Sequence, residues 1–231
     1  MSQYQGSSDQ HFGHISYSQH GEDMMIVNIF NQLGVATPRY LDIGAHHPTH
    51  ISNTKLLYER GSLGVNVEAN PNLMAAFEEE RPLDINVQCG VGLKRDVQRF
   101  YMFAEKSGRN TFCLEEARRY EAESGRLIAK TVDITVKTIN QIVDEYCAGY
   151  WPHFLNCDAE GMDYDILESA RFDNNAPIVI CVEVRAKDSQ NMTLMMQKKA
   201  FYPHCRMGEN IIYVKRFYCE RLLKAVGLEW P

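Results

Sequence analysis

Five acidic residues stand where short strands should end: Asp42, Glu68, Asp158, Glu160 and Glu183. They fall in "RYLDIGAHHPTH", "LGVNVEA", "HFLNCDAEG" and "PIVICVEVR", each a run of strand formers that breaks into a turn. A carboxylate that close to a core must be paired or hydrogen-bonded. A purely structural sheet has no need of several such positions. Histidines stand nearby in sequence: His20 in "YSQHGED", and His46, His47 and His50 just after Gly44. Imidazole, with an ordinary pKa of about 6.5, moves protons near neutral pH. Together these residue types suit a ligand rich in hydrogen-bond donors or positive charge, and proton abstraction from it.

Elements must bring these residues together. "SYSQHGEDMMIVNIFNQLG" reads as a helix that Ser16 or Ser18 caps and Gly34 ends. "RYLDIG" is the first strand, and "SNTKLLYERG" a helix with Ser52 or Asn53 as cap. "LGVNVEA" is the second strand, "NPNLMAAFEEER" a helix with Pro71 at its first position, and "DINVQCGVG" the third strand. "VQRFYMF" and "TVDITV" read as strands, "CLEEARRYEAE" and "TINQIVDEYC" as helices. "HFLNCDAEG", the helix "DYDILESA" and the nearly all-apolar strand "PIVICVEVR" follow; a helix "TLMMQKKAFY" and a strand "NIIYVKRFY" close the chain. Strands alternating with helices imply an α/β fold, a mostly parallel sheet with helices on both faces. Such sheets bind ligands beyond the carboxyl ends of their strands. Four of the first five main strand ends carry a carboxylate: Asp42, Glu68, Asp158 with Glu160, and Glu183.

With 231 residues, 45% of them hydrophobic, one domain over residues 15–231 is expected, after a loose polar segment at 1–14. No run is long and apolar enough to span a bilayer. The opening "MSQYQGSSDQHFGH" lacks the basic start and apolar middle of a signal peptide. Seven cysteines without a C-x-x-C pair read as reduced thiols of a cytoplasmic protein. The net charge of −6, without a basic stripe, argues against a nucleic-acid partner. Composition does not fix the oligomeric state.

Glu68 is the most informative acid. At the end of a second strand it can accept both ribose hydroxyls of a nucleoside cofactor, as in dinucleotide binders. Those binders also need a glycine-rich turn for a pyrophosphate, and Gly44-Ala45-His46-His47-Pro48 has one glycine. S-adenosylmethionine carries a nucleoside, a sulfonium and an amino acid but no phosphate, so it suits this turn better. D-x-G-A after a strand is weak by itself. The three histidines after the turn have no fixed helical geometry, because Pro48 intervenes, and a zinc site there would need a further ligand. The turn reads as a cofactor cradle in which His46 replaces a glycine.

Several segments resemble the FkbM family of S-adenosylmethionine-dependent methyltransferases. They are "YSQHGED" (17–23), "DIGAHHP" (42–48), "SNT" (52–54), "NVEANP" (66–71), "RPLDINV" (81–87), "NTF" (110–112), "FLNCDAEGMDYDIL" (154–167) and "ICVEV" (180–184), in family order. One departure is Asn156-Cys157, where the family often has lysine or serine followed by isoleucine. The resemblance implies a class I (Rossmann-like) methyltransferase fold, a three-layer sandwich, and methyl transfer to oxygen. It also implies an acceptor that is often a sugar hydroxyl, of a glycan or nucleotide-sugar, or else a secondary metabolite.

Cofactor contacts are then expected from Gln19, Asp23, Asp42, Gly44, Ala45, Asn53, Glu68, Ala69, Gly90 and Asp158. A sugar hydroxyl is a poor nucleophile and needs a base or a metal. Asp158 is the first candidate base, Glu160 the second, and His20 an alternative from the early helix. Glu160 reads equally as a carboxylate bonding its own turn, Asp163 rather as a helix cap. Glu183 either lines the acceptor pocket or pairs with Arg185. Tyr146, Tyr150 and Trp151 read as packing more than as a sugar platform. A divalent ion between Asp158 and Glu183 stays open, and no metal is assigned. Two competing functions are a nicotinamide-dependent oxidoreductase, which the missing glycine fingerprint argues against, and a non-catalytic binding module, which the retained acids argue against.

Overall fold

The alternation of strands and helices is realised in the structure, a computed structural model that describes residues 15–172 and 175–225. The segment 1–14, expected to be loose, lies outside the described residues. The strands are β1 (Tyr40–Ile43), β2 (Gly64–Glu68), β3 (Ile85–Gln88), β4 (Gly90–Gly92), β5 (Asp96–Met102), β6 (Lys130–Thr138), β7 (Phe154–Cys157), β8 (Val179–Glu183), β9 (Phe201–Met207) and β10 (Asn210–Lys215). The helices are α1 (Glu22–Leu33), α2 (Lys55–Glu59), α3 (Met74–Glu80), α4 (Leu114–Ser124), α5 (Ile139–Tyr146), α6 (Asp163–Ser169), α7 (Ser189–Lys198) and α8 (Arg216–Ala225).

Seven strands form the main sheet in the order β3-β2-β1-β7-β8-β10-β9. The pairs from β3 to β8 are parallel, and β10 runs antiparallel to both its neighbours. From β1 the chain builds outward to β3, then returns to β7 on the other side of β1. The gap between the ends of β1 and β7 is thus a topological switch point, where sheets of this kind open a crevice.

Period-two alternation feeds two cores. Leu155, Ile180 and Val182 pack on Ile142, Ile166 and Met196 from α5, α6 and α7. Phe154, Val179 and Cys181 pack on Ile26, Phe30 and Leu222 from α1 and α8. This is the expected three-layer sandwich with helices on both faces.

The sequence reading of the elements needs four corrections. "DINVQCGVG" is not one strand. It breaks at Cys89 into β3 and β4, and β4 joins β5 and β6 in a separate three-stranded sheet of order β4-β6-β5. Residues 201–207, read in part as the end of a helix, form β9; Pro203 is tolerated there because β9 is an edge strand. "NIIYVKRFY" is strand only to Lys215, and α8 begins at Arg216. The cap of α1 is Gly21 at φ 88°, not a serine, although the Ser18 hydroxyl accepts from the Gly21 and Asp23 N–H groups. Gly34 ends α1 in the left-handed region, as predicted.

Behind the switch point lies a buried polar chain. Arg81 is fully buried and donates to Asp84 (2.8 Å), to the Tyr40 hydroxyl (2.6 Å) and to Thr54 Oγ1 (2.9 Å). Thr54 passes its own hydrogen to Asp42 Oδ2 at 2.6 Å. Asn156, paired with Asp42 across β1 and β7, donates to Asp42 Oδ1 at 2.9 Å. Asn156 Oδ1 in turn accepts from Asn53 at 2.9 Å. This network satisfies every buried carboxylate oxygen of Asp42, which a strand interior would otherwise not tolerate.

All seven cysteines are free thiols, four of them buried. Thiol titration of the unfolded chain without reductant should therefore count seven. A lower count that reductant restores would reveal a disulfide and overturn this arrangement.

Candidate active site

The turn after β1 is set by close approach. Gly44 has φ 71°, and a Cβ on it would stand 1.7 Å from the Asp158 carbonyl oxygen. Only glycine lets the β1 and β7 ends meet this closely. The Gly44 and Ala45 N–H groups both bond the Val67 carbonyl, at 3.0 and 3.1 Å. The ends of β1, β2 and β7 are thereby locked side by side around a cavity of about 440 Å³.

Of the expected cofactor contacts, Gln19, Asp42, Gly44, Ala45, Asn53, Glu68, Ala69, Gly90 and Asp158 line this cavity. Asp23 does not. It is fully buried, and its carboxylate accepts from Ser16, Ser18 and the Tyr17 N–H, so it shapes the loop that carries Gln19 instead. His20 lines neither this cavity nor its neighbour. Its ring lies over Gly208 and 3.4 Å from Glu22.

Glu68 closes one end. Its two oxygens accept from the His46 N–H (2.8 Å) and the Asn70 N–H (2.6 Å). With about four lone-pair sites, the carboxylate keeps capacity for a ligand beyond its backbone donors. Burial pushes its pKa up to about 7, against the pull of those two N–H groups. His46, at φ 52°, brings its ring to the cavity and to the Lys106 carbonyl at 3.3 Å. His47 Nδ1 instead accepts from the Thr49 and His50 N–H groups, so it holds its own turn.

The loop after β5 forms the facing wall. The Asn70 side chain donates to the Glu105 carbonyl at 2.6 Å, and Thr111 Oγ1 donates to the Glu160 carbonyl at 2.8 Å. Phe112 packs tilted on Phe100, with ring centroids 4.7 Å apart, and fills the space over Gly90, where a Cβ would meet the ring at 2.3 Å. Lys106 and Arg109 from this loop line the cavity, and nothing in the local sequence pattern pointed to them.

The other end carries the acid cluster. One oxygen from each of Asp158, Glu160 and Glu183 lies within 4.8 Å of the others. Burial first, and then mutual repulsion, raises all three pKa values, so the three do not all ionise near neutral pH. Arg109 offers partial compensation, 3.4 Å from Glu160. Asp163 is not the cap of α6; it accepts from the Ala159 and Gly161 N–H groups and holds the turn that presents Asp158 and Glu160. Arg185 pairs with Glu116 and Asp188, leaving Glu183 to the cluster. Beyond the acids lies a larger cavity of about 830 Å³ between α4, α6 and α7, which shares Arg109, Thr111, Glu160, Glu183 and Glu209 with the first. Tyr146, Tyr150 and Trp151 line neither cavity; Trp151 packs on Phe172 at 4.8 Å.

A seven-stranded sheet with one reversed strand, a single-glycine turn, and an acid at the end of β2 define a class I, Rossmann-like methyltransferase fold. The model of the FkbM methyltransferase domain matches residues 42–202, well over half of the chain. The chain belongs to that family and is an enzyme that transfers methyl groups. No curated protein and no solved structure matches it closely enough to add to this. No described helix is long and apolar enough to cross a membrane.

Proposed function

We propose that residues 15–231 form one domain that methylates a hydroxyl oxygen, most simply that of a sugar, with S-adenosylmethionine as donor. One observation carries the reading: a single cavity has a ribose-type carboxylate, Glu68, at one end and a proton-accepting cluster, Asp158 with Glu183, at the other. The cofactor, when bound, supplies an electrophilic methyl group on a sulfonium. Glu68 accepts the ribose hydroxyls through its free lone pairs. The Gly44-Ala45 turn, Asn53 and Gln19 hold the amino-acid end. Asp158 and Glu183 orient the acceptor hydroxyl and take its proton as the oxygen gains the methyl group. Only the ionised member of the pair can take that proton; burial and repulsion raise both pKa values, which makes that carboxylate more basic but less often ionised, so turnover should rise with pH above neutrality. The larger cavity receives the rest of the acceptor, and its many carboxylates suit a polyhydroxyl molecule that donates hydrogen bonds.

Calorimetry with S-adenosylmethionine, S-adenosylhomocysteine and NAD tests the cofactor. The first two should bind and NAD should not. Binding of NAD alone, or of none of the three, would overturn S-adenosylmethionine as the methyl donor. Mass spectrometry of a panel of sugars, nucleotide-sugars and non-sugar metabolites then identifies the acceptor.

A further inference from the structure

The acid cluster has a feature that proton transfer alone does not require. Asp158 Oδ1 is sealed from solvent and takes no hydrogen bond from any described residue. Such an orphaned buried oxygen is rare and costly. Asp158 and Glu183 are in hydrogen-bond contact with each other, which without a cation needs a proton on Glu183 shared between the two carboxyl groups. Glu160 sits at φ 46°, a conformation disfavoured for any residue with a Cβ, and this backbone holds it beside the other two. The Asp163 carboxylate and the Thr111 hydroxyl fix that turn.

We infer that Asp158, Glu160 and Glu183 form a binding site for a hard divalent cation, magnesium or manganese. Six-coordinate ions of this class take oxygen ligands at about 2.1 Å, so ligand oxygens on one ion sit roughly 3 to 4.2 Å apart. The three carboxylates already lie within 4.8 Å of one another, and since at least two of the three pairs must be adjacent on the ion, they need to close by at most about 1.8 Å. An all-oxygen set selects these ions over zinc or copper, which prefer nitrogen and sulfur. Three protein ligands leave positions for water or for the hydroxyls of an acceptor. The site lies where the two cavities join, so a cation there would touch the acceptor at its reacting end. A coordinated hydroxyl is more acidic. Its proton would pass to a carboxylate oxygen not bound to the ion, while the oxygen–carbon bond forms and the carbon–sulfur bond breaks. Arg109 is the competing cation. Its link to Glu160 is long and its side chain half-exposed, so it can withdraw when the ion enters.

The chemical use of the ion rests on the methyl-transfer reading, but its binding does not. The test therefore omits cofactor and acceptor. The chain is stripped with a chelator, dialysed at pH 8, and titrated with manganese while free manganese is followed by electron paramagnetic resonance. One ion per chain should bind. Glu160→Gln and Glu183→Gln should each weaken it at least tenfold, and Arg109→Gln should tighten it. Glu79→Gln, an exposed acid elsewhere, should change nothing. If the carboxylate variants do not fold, Arg109→Gln alone carries the test. No saturable binding, or binding that ignores these substitutions, overturns the site and leaves the methyltransferase reading standing. Binding as described, with no methylation of any acceptor, would instead leave the site standing and sink that reading.

Discussion

Asp158→Asn is expected to lower turnover by about two to four orders of magnitude, the usual range for general acid–base help, and to leave cofactor affinity nearly unchanged. That is about 3–5 kcal/mol of transition-state stabilisation. Asn keeps the shape of the side chain and removes its charge and basicity. The Asp158 main chain still meets Gly44, so the cradle is untouched. The same change should raise, not lower, the melting temperature. Asp158 stands in a cluster where burial and neighbouring carboxylates disfavour its charged form, and a neutral amide relieves both costs. Loss of activity with a gain in stability is the mark of a site kept for function. Glu160→Gln should cost less, because Glu160 divides its carboxylate between the cluster and Arg109. His20→Asn should cost little, because its ring faces Gly208 and Glu22 rather than either cavity. Kinetics and calorimetry on the three variants side by side would decide. Near-full activity in Asp158→Asn with a dead His20→Asn would make the base a histidine.

The strand ends were legible in the sequence because each couples a local pattern to a local break. "YLDIG", "VNVEA" and "FLNCDAEG" turn from strand formers to acid and glycine within a few residues, and periodicity reads such changes well. The central strands were legible for the same reason, since residues 178–182 carry no polar residue at all. What stayed hidden depends on contacts across long stretches of chain. Arg109 meets Glu160 only because β5 leaves the main sheet and its following loop folds back over the cavity. The split of "DINVQCGVG" was hidden because both halves are strand; only their partners differ. Asn156 looked like a departure from the family pattern. Its register opposite Asp42 shows why an amide works there, since it donates to one carboxylate and accepts from Asn53. Asp23 and His20, expected at the site, do not line either cavity, for a simple reason. A motif fixes which residues are near in sequence, whereas the turn of the loop decides that Gln19 faces the cavity and its neighbours do not.

Glu68→Ala should weaken S-adenosylmethionine binding at least a hundredfold. Two ribose hydroxyls would lose charge-assisted bonds of about 1.5–3 kcal/mol each. Glu68 also holds the His46 and Asn70 N–H groups, so a structural role must be told apart from a binding one. The pH dependence does this. The Glu68 pKa stands at about 7 because burial disfavours its charge. The ribose hydroxyls favour the ionised form, so binding must draw that pKa down. By linkage, affinity should then rise with pH up to about 7 and level off above it; between pH 8 and pH 6 it should fall about tenfold. A residue that only braced the turn would change the melting temperature with pH but would give the cofactor affinity no such slope. Glu68→Gln should lose the slope and also bind more weakly, because its amide nitrogen must face one of two backbone donors. Calorimetric titrations of the three proteins from pH 5.5 to 8.5 would show this. A pH-independent affinity in the wild type, or an unchanged affinity in a folded Glu68→Ala chain, would remove the ribose role from Glu68.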